Sequence, residues 1–183
     1  MIDDDTLPLD DSGEPELPHE RDRRLRKATE PVPRGIRNNN PLNIRRTSIP
    51  WIGKVGQPTD DDFEQFESMA FGLRAAMINL RTIARRLEKK GGITIAKVIA
   101  VWAPPHENDT AAYAERVAAA VWTGAAFNLN PDTSVDLAMF DLFDFISPVV
   151  HAMVEVECGA GWSLRIPADD YREAARMTGL DLT

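Results

Sequence analysis

Apolar residues recur every three or four positions over most of the chain after residue 67, which places them on one face of an α-helix. The clearest pattern lies between Ser68, a residue that can cap a helix start, and Gly91, a residue that can end one. Its apolar members are Leu73, Met77, Leu80, Ala84 and Leu87. Similar patterns predict helices over about 95–103, 109–122, 134–146, 149–157 and 168–178. A mainly α fold is therefore expected.

Two segments interrupt this helical pattern. Residues 34–67 contain turn signals at Trp51, Gly53 and Gly56, and they predict an irregular region with short strands. Within it stands RGIRNNNPLNI, from Arg34 to Ile44, which is too polar for a core strand. The second interruption is WAPPHENDTAAY, from Trp102 to Tyr113, where two prolines lead directly into a helix start.

Residues 1–33 differ in composition from the rest and predict an extended N-terminal arm. They hold five prolines, ten acidic residues and five basic ones, and therefore a net charge of −5. Such a segment cannot bury enough apolar surface to fold alone. It is either a leader without fixed structure or an anchor that orders on a partner protein. Residues 34–183 are expected to form one domain.

Composition excludes several classes of protein. The 183-residue chain has a net charge of −8, which argues against a general nucleic-acid binder. It lacks the run of about 20 apolar residues that a membrane span needs, and its acidic start does not predict a signal peptide. Cys158 is the one cysteine, so no internal disulfide is possible. The histidines lack zinc spacing, and neither a metal nor a cofactor is predicted.

The asparagine-rich loop is the first candidate site. Asparagine amides build turns, and they also suit a ligand rich in hydroxyl and amide groups, such as a glycan. Nearby arginines add cationic donors. The candidate binding residues are Arg37, Asn38, Asn39, Asn40 and Asn43.

The second candidate site is the helix start after the two prolines. Asn108 or Asp109 can cap this helix, and the helix dipole would keep Glu107 ionised, which makes Glu107 a weak general acid. Trp102 and Tyr113 are either core residues or sugar platforms. The candidate binding residues are Glu107, Asn108, Thr110 and Tyr113.

The third candidate is the acidic end of an apolar helix, in VEVECG from Val154 to Gly159. A carboxyl group there is disfavoured as an anion by the helix dipole and by burial, and both raise its pKa. A glycosidic acid must hold its proton near neutral pH. Glu155 and Glu157 both fit, but they point about 200° apart around a helix and cannot share the role. Solvated glutamates at a frayed helix end are the alternative.

Taken together, the two Asn/Pro blocks and the helix ending at Glu157 and Gly159 resemble a family of phage and prophage proteins. Members are described as virion structural proteins or as peptidoglycan-degrading proteins with a lysozyme-like domain. The resemblance spans most of residues 34–159, and it implies a lysozyme-like helical domain with Glu157 as its catalytic acid. It also implies peptidoglycan as the substrate, other virion or tail proteins as partners of the arm, and action in the host cell wall or periplasm.

This chain departs from the family at three positions. Leu42 stands where the family has Gly, and Val156 and Cys158 stand where it has His and Asn. In lytic transglycosylases the acidic helix end precedes the Pro/Thr/Tyr helix start, whereas here it follows. The order resembles a rearranged, circularly permuted version of that domain.

The leading hypothesis is therefore a phage-associated glycosidase that degrades peptidoglycan, of the lytic transglycosylase or muramidase type. Transglycosylation needs Glu157 alone. Hydrolysis needs a second carboxylate at roughly 5–9.5 Å, and Asp62, Glu64 and Glu107 are the candidates. The alternatives are a non-catalytic structural protein of a phage particle or tail, which the three departures favour, and a secreted antibacterial effector.

Overall fold

A computed structural model describes residues 31–106, 108–121 and 130–180, and within them the fold is mainly α, as predicted. The helices are α1 (Arg34–Arg37), α2 (Met69–Glu88), α3 (Ile95–Trp102), α4 (Thr110–Val121), α5 (Phe143–Cys158) and α6 (Ala168–Thr178). Two short strands, β1 (Ile93–Thr94) and β2 (Ser134–Val135), pair antiparallel. The predicted arm, residues 1–33, lies outside the described residues except at its last three positions and stays a prediction.

Helix α2 is the central element of the described core. It packs against α6, while α4 packs against both α3 and α5. The stripe predicted from the sequence faces inward, since Leu73, Met77 and Leu80 are fully buried. Ser68 caps the helix start by accepting a hydrogen bond from the Phe71 amide at 3.4 Å, and Thr94 caps α3 from the Lys97 amide at 3.1 Å. No helix in the described ranges is both long enough and apolar enough to cross a bilayer.

The prediction of two helices over 134–146 and 149–157 is wrong, because a single helix, α5, covers Phe143–Cys158. Residues 134–142 instead form β2 and a 3-10 turn, Leu137–Asp141, which Asp136 caps by accepting from the Ala138 amide at 2.8 Å. The helix then continues through Pro148. A proline inside a helix removes one backbone hydrogen bond. Buried Ile146 and Val149 flank Pro148, and packing of this face offsets the loss.

The irregular segment before α2 is organised around the buried side chain of Asp60. Its carboxylate accepts hydrogen bonds from Arg34 at 2.7 Å, from the Asn38 amide at 2.6 Å and from two backbone amides at 3.0 Å. The Arg34 guanidinium, with these other donors, holds the pKa of Asp60 well below its usual range against the effect of burial. Asp60 therefore ties α1 to residues 60–63.

Glycine at position 72 lets α2 pass directly beneath the asparagine-rich loop. A Cβ atom on Gly72 would overlap the carbonyl oxygen of Asn39. Asn39 itself takes a left-handed conformation, with φ of 50°, which asparagine tolerates better than most residues. The helix and the loop are therefore held in backbone contact, which fixes the height of the loop above the core.

Candidate active site

Glu157, in the last turn of α5, is the centre of the candidate site. Its carboxylate accepts hydrogen bonds from the Asn43 amide at 2.9 Å and from the Tyr113 hydroxyl at 3.1 Å. The Trp102 side chain is a third hydrogen-bond partner. Three distant segments thus meet at one carboxyl group: the asparagine-rich loop, the end of α3 and the first turn of α4.

Burial raises the pKa of Glu157, and the hydrogen bonds from Asn43, Tyr113 and Trp102 oppose that shift without cancelling it. All three donors are uncharged, so none stabilises the anion as strongly as a guanidinium would. The result is a carboxyl group that keeps its proton to a higher pH than an exposed glutamate does. This is the property required of a general acid.

Glu155, two residues earlier, has the opposite environment. It is half-buried, and it accepts hydrogen bonds from the backbone amides of Gly161 and of Ser163, the latter at 2.8 Å. Burial raises its pKa, but these bonds favour the anion and the net shift is downward. Glu155 therefore stabilises the turn after α5 as a carboxylate. Of the two glutamates that the sequence left open, only Glu157 is in an environment that favours the acid form.

Close packing around Asn43 fixes the amide that contacts Glu157. Asn43 has a φ of 49°, and its backbone amide donates to the Asn40 carbonyl at 2.9 Å. A Cβ on Gly35 would lie 2.8 Å from Asn43 Oδ1 and 3.2 Å from Cys158 Sγ. The glycine in α1 therefore lets the loop approach the end of α5. The buried Cys158 thiol donates to the Pro41 carbonyl at 3.2 Å, which adds a second contact between these elements.

Cys158 itself is not a candidate nucleophile. Burial and the nearby glutamates raise the pKa of its thiol to about 12. The reactive thiolate is therefore negligible near neutral pH, and the side chain acts as a small buried packing group.

Glu157 opens onto a cleft of about 750 Å³. The lining combines an apolar part with amides and guanidinium groups: Leu42, Asn43, Ile44, Arg45, Thr47, Phe63, Asn79, Ile83, Arg86, Val101, Trp102, Ala103, Asn108 and Glu157. Among the described residues, Glu157 is the one carboxylate in this lining. A cleft of this size and mixed chemistry is typical of sites for small or extended polar ligands.

The structure brings some of the predicted site residues together and places others elsewhere. Asn43 and Asn108 line the cleft with Glu157. Tyr113 is buried and contacts Glu157 through its hydroxyl, and of the two roles that the sequence left open these contacts favour a core residue over a sugar platform. Glu107 lies outside the described residues.

Asn38, Asn39 and Asn40 use their amides within the protein. Asn38 bonds Asp60 and accepts from Gln65 at 2.9 Å. Asn39 donates to the Phe66 carbonyl at 3.0 Å. Asn40 is fully buried, and its amide donates to the carbonyls of residues 44 and 64. Of the two roles that the sequence allowed, these contacts favour loop building.

Arg37 and Thr110 also lie away from the cleft lining. Arg37 is exposed on α1. The Thr110 hydroxyl donates to the Ala103 carbonyl at 2.6 Å, which ties the start of α4 to the turn after α3. Thr110 therefore supports the segment that carries Asn108.

The candidates for a second carboxylate are engaged elsewhere. Asp62 forms an ion pair with Arg34 at 3.0 Å. Glu64 is buried and bonds Lys54 at 2.9 Å and the Thr47 amide at 2.9 Å. Neither belongs to the cleft lining among the described residues, and these contacts give both a structural role.

Sequence reasoning missed one wall of the cleft, formed by Asn79, Ile83 and Arg86 of α2. These residues follow each other at four- and three-residue steps, so they share one helix face. That spacing was visible in the sequence. The polar positions were not recognised as a separate face because they adjoin the stronger apolar stripe of α2 that faces the core.

The role of Asn43 can be tested on the titration of Glu157. Asn43→Gly is expected to raise the pKa of Glu157 further, because a hydrogen bond that favours the anion is lost. Glycine tolerates the positive φ. The matched control is Asn39→Gly, which has the same backbone conformation but bonds Phe66. Carbon-13 NMR of the carboxyl groups measures the shift; an unchanged or lower pKa in Asn43→Gly would contradict the role.

The sequence was compared with models of known protein families and with known proteins. No model of a known protein family matches the chain. The chain is 37% identical over 134 residues to protein P5 of Pseudoalteromonas phage PM2, a match that covers 70% of this chain and 81% of that protein.

In the described ranges, no group of three or more His, Cys, Asp or Glu side chains is arranged to hold a metal ion.

Proposed function

The chain belongs to the same family as protein P5 of Pseudoalteromonas phage PM2, which supports a phage association, and from the environment of Glu157 we propose that it is a glycosidase that cleaves the glycan strands of peptidoglycan. The observation that carries this proposal is the environment of Glu157. A carboxyl group with a raised pKa is held by three neutral donors at the wall of an open cleft lined by amides and arginines. That arrangement suits an acid that protonates a glycosidic oxygen.

In the proposed reaction Glu157 gives its proton to the oxygen of the scissile bond as the C–O bond breaks. The carboxylate that results then accepts a proton from a hydroxyl of the same sugar, and that oxygen closes an intramolecular ring on the anomeric carbon. One carboxyl group serves as acid and then as base, which is lytic transglycosylation. Two of the candidate second carboxylates that hydrolysis would need, Asp62 and Glu64, are held in ion pairs with Arg34 and Lys54, which favours this route.

The test uses the purified 183-residue chain and peptidoglycan sacculi. We expect release of soluble muropeptides whose ends carry an intramolecular anhydro ring, detectable by mass spectrometry as the loss of one water. Reducing ends without that loss would favour hydrolysis. No release by the folded protein would contradict the enzymatic proposal and favour a structural protein of a phage particle.

The activity should decrease as pH rises. Only the protonated form of Glu157 can act as the acid, so the rate of release falls through the pKa of Glu157 in the folded protein. Because burial raises that pKa, the fall should lie at higher pH than for an exposed glutamate. Initial rates between pH 4 and pH 9 measure it. A rate that rises across this window would contradict an acid role for Glu157.

A further inference from the structure

Arg86 of α2 differs from Arg81 and Arg85 of the same helix, because those two arginines contact other groups of the protein. Arg81 binds Asp141 at 2.8 Å and the Thr178 carbonyl at 2.9 Å, and Arg85 lies 3.9 Å from Asp141. Arg86 is exposed and lines the cleft. No hydrogen bond or ion pair within the described residues engages its guanidinium.

The chemistry of the cleft wall changes along α2, from an amide to an apolar side chain to a guanidinium. Asn79 and Arg86 lie seven steps apart along α2, which is about 10 Å along a helix, and Ile83 lies between them. Ile83 is buried between the two polar groups and forms an apolar floor. A ligand on this wall thus meets an amide at one end and a guanidinium at the other.

The charge of the cleft contrasts with that of the chain. The chain has a net charge of −8, yet the described lining holds two arginines and a single carboxyl group. The Arg45 guanidinium lies 5.8 Å from the centre of the Phe63 ring, whereas Arg86 stands on the same helix face as Asn79 and Ile83 of the cleft wall. A guanidinium binds a carboxylate through two parallel hydrogen bonds.

We infer that Asn79 and Arg86 form a subsite for a carboxylate-bearing substituent of the glycan, with Arg86 binding the carboxylate and Asn79 an adjacent amide or hydroxyl. The inference rests on the proposed function for the class of ligand. It assigns to α2 a part in substrate recognition that is separate from the acid chemistry of Glu157. Arg86 is accordingly a specificity-determining residue.

The test measures binding without turnover. The 183-residue chain carrying Glu157→Gln is titrated with soluble glycan strands of peptidoglycan whose carboxyl groups are free. A second titration uses the same strands after their carboxyl groups have been converted to amides. We expect amidation to weaken binding about tenfold, the typical size of a charge-assisted pair. Adding Arg86→Gln should weaken binding of the free strands by a similar factor and remove the sensitivity to amidation.

The matched control is Arg85→Gln, which removes the same charge from the preceding residue of α2, outside the cleft lining. It should leave both affinities and their ratio unchanged. Equal sensitivity to amidation in the Arg86 and Arg85 variants would overturn the subsite, as would a failure of the strands to bind at all. Since no cleavage is required, a chain that binds strands in this way but releases no muropeptides would contradict only the proposed function.

Discussion

Glu157→Gln is expected to lower muropeptide release by about 10²–10⁴-fold, the usual contribution of a general acid. Glutamine keeps the size of the side chain and an oxygen that can accept from Asn43 or Tyr113, but it has no proton to give. The loss should therefore appear in the rate of muropeptide release while the variant still folds. Initial rates on sacculi, with circular dichroism to confirm the fold, measure it.

The control for this variant is Glu173→Gln, which removes an exposed carboxylate of α6 that pairs with Arg176 and does not line the cleft. It should keep wild-type activity. Equal release by wild type and by Glu157→Gln would remove Glu157 from the mechanism. A loss of activity in both variants would point to a nonspecific effect of charge.

The same substitution has a predictable effect on stability. Since burial raises the folded-state pKa of Glu157 above the ordinary glutamate value of 4.5, the protonated form is the one that the fold favours. Its stabilising contribution is complete below the unfolded pKa and is lost as pH rises through the folded pKa. The free energy of unfolding of wild type, relative to Glu157→Gln, should therefore decrease across that window. Denaturant unfolding at several pH values measures the difference.

Gly72→Ala is expected to have the largest effect on stability of the substitutions considered. The added methyl group would overlap the Asn39 carbonyl oxygen, so α2 and the loop must separate. Overpacking costs roughly 1–3 kcal/mol, and the upper end applies because the obstructing atom belongs to the backbone. Urea unfolding should show the decrease in the free energy of unfolding.

Gly56→Ala is the control, because a methyl group there meets no atom within 4 Å and the position has no left-handed φ. It should change the free energy of unfolding by less than about 0.5 kcal/mol, as is usual for surface substitutions. If Gly72→Ala were as stable as Gly56→Ala, the close contact between α2 and the loop would be wrong. The loop also carries Asn43, so Gly72→Ala should weaken the site.

Local signals in the sequence were sufficient for most helices. Ser68 and Thr94 accept the amide hydrogen bonds expected of helix caps, and Gly179 ends α6 in the left-handed conformation typical of glycine. Pro148 was misleading for a physical reason. Its local preference marks a helix start, whereas buried residues on both sides of it keep a longer helix intact.

The candidate site depends on contacts that local signals do not encode. Asn43 and Glu157 are 114 positions apart and meet at one hydrogen bond; helical spacing says nothing of such a pair. Amide chemistry also could not separate Asn43 from Asn38 and Asn40, because the same groups serve a loop and a ligand equally well. Only the fold assigns Asn38 to Asp60 and Asn43 to Glu157.

Leu42 shows how a departure from the family pattern can be accommodated. It is fully buried and also contributes to the cleft lining. The side chain therefore packs into the core beneath the loop, and Asn43 still reaches Glu157. One of the three departures that favoured a non-catalytic protein is thus compatible with the hydrogen bond between Asn43 and Glu157.

The carbon-13 NMR titration of Glu157 and Glu155 in the folded protein tests the central claim most directly. Glu157→Gln identifies the Glu157 signal by its disappearance, and Glu155 is the internal control on the same helix. The predicted result is that Glu157 titrates above the ordinary glutamate value of 4.5 and Glu155 below it. Titration of Glu157 at or below 4.5 would contradict its role as the acid of the cleft.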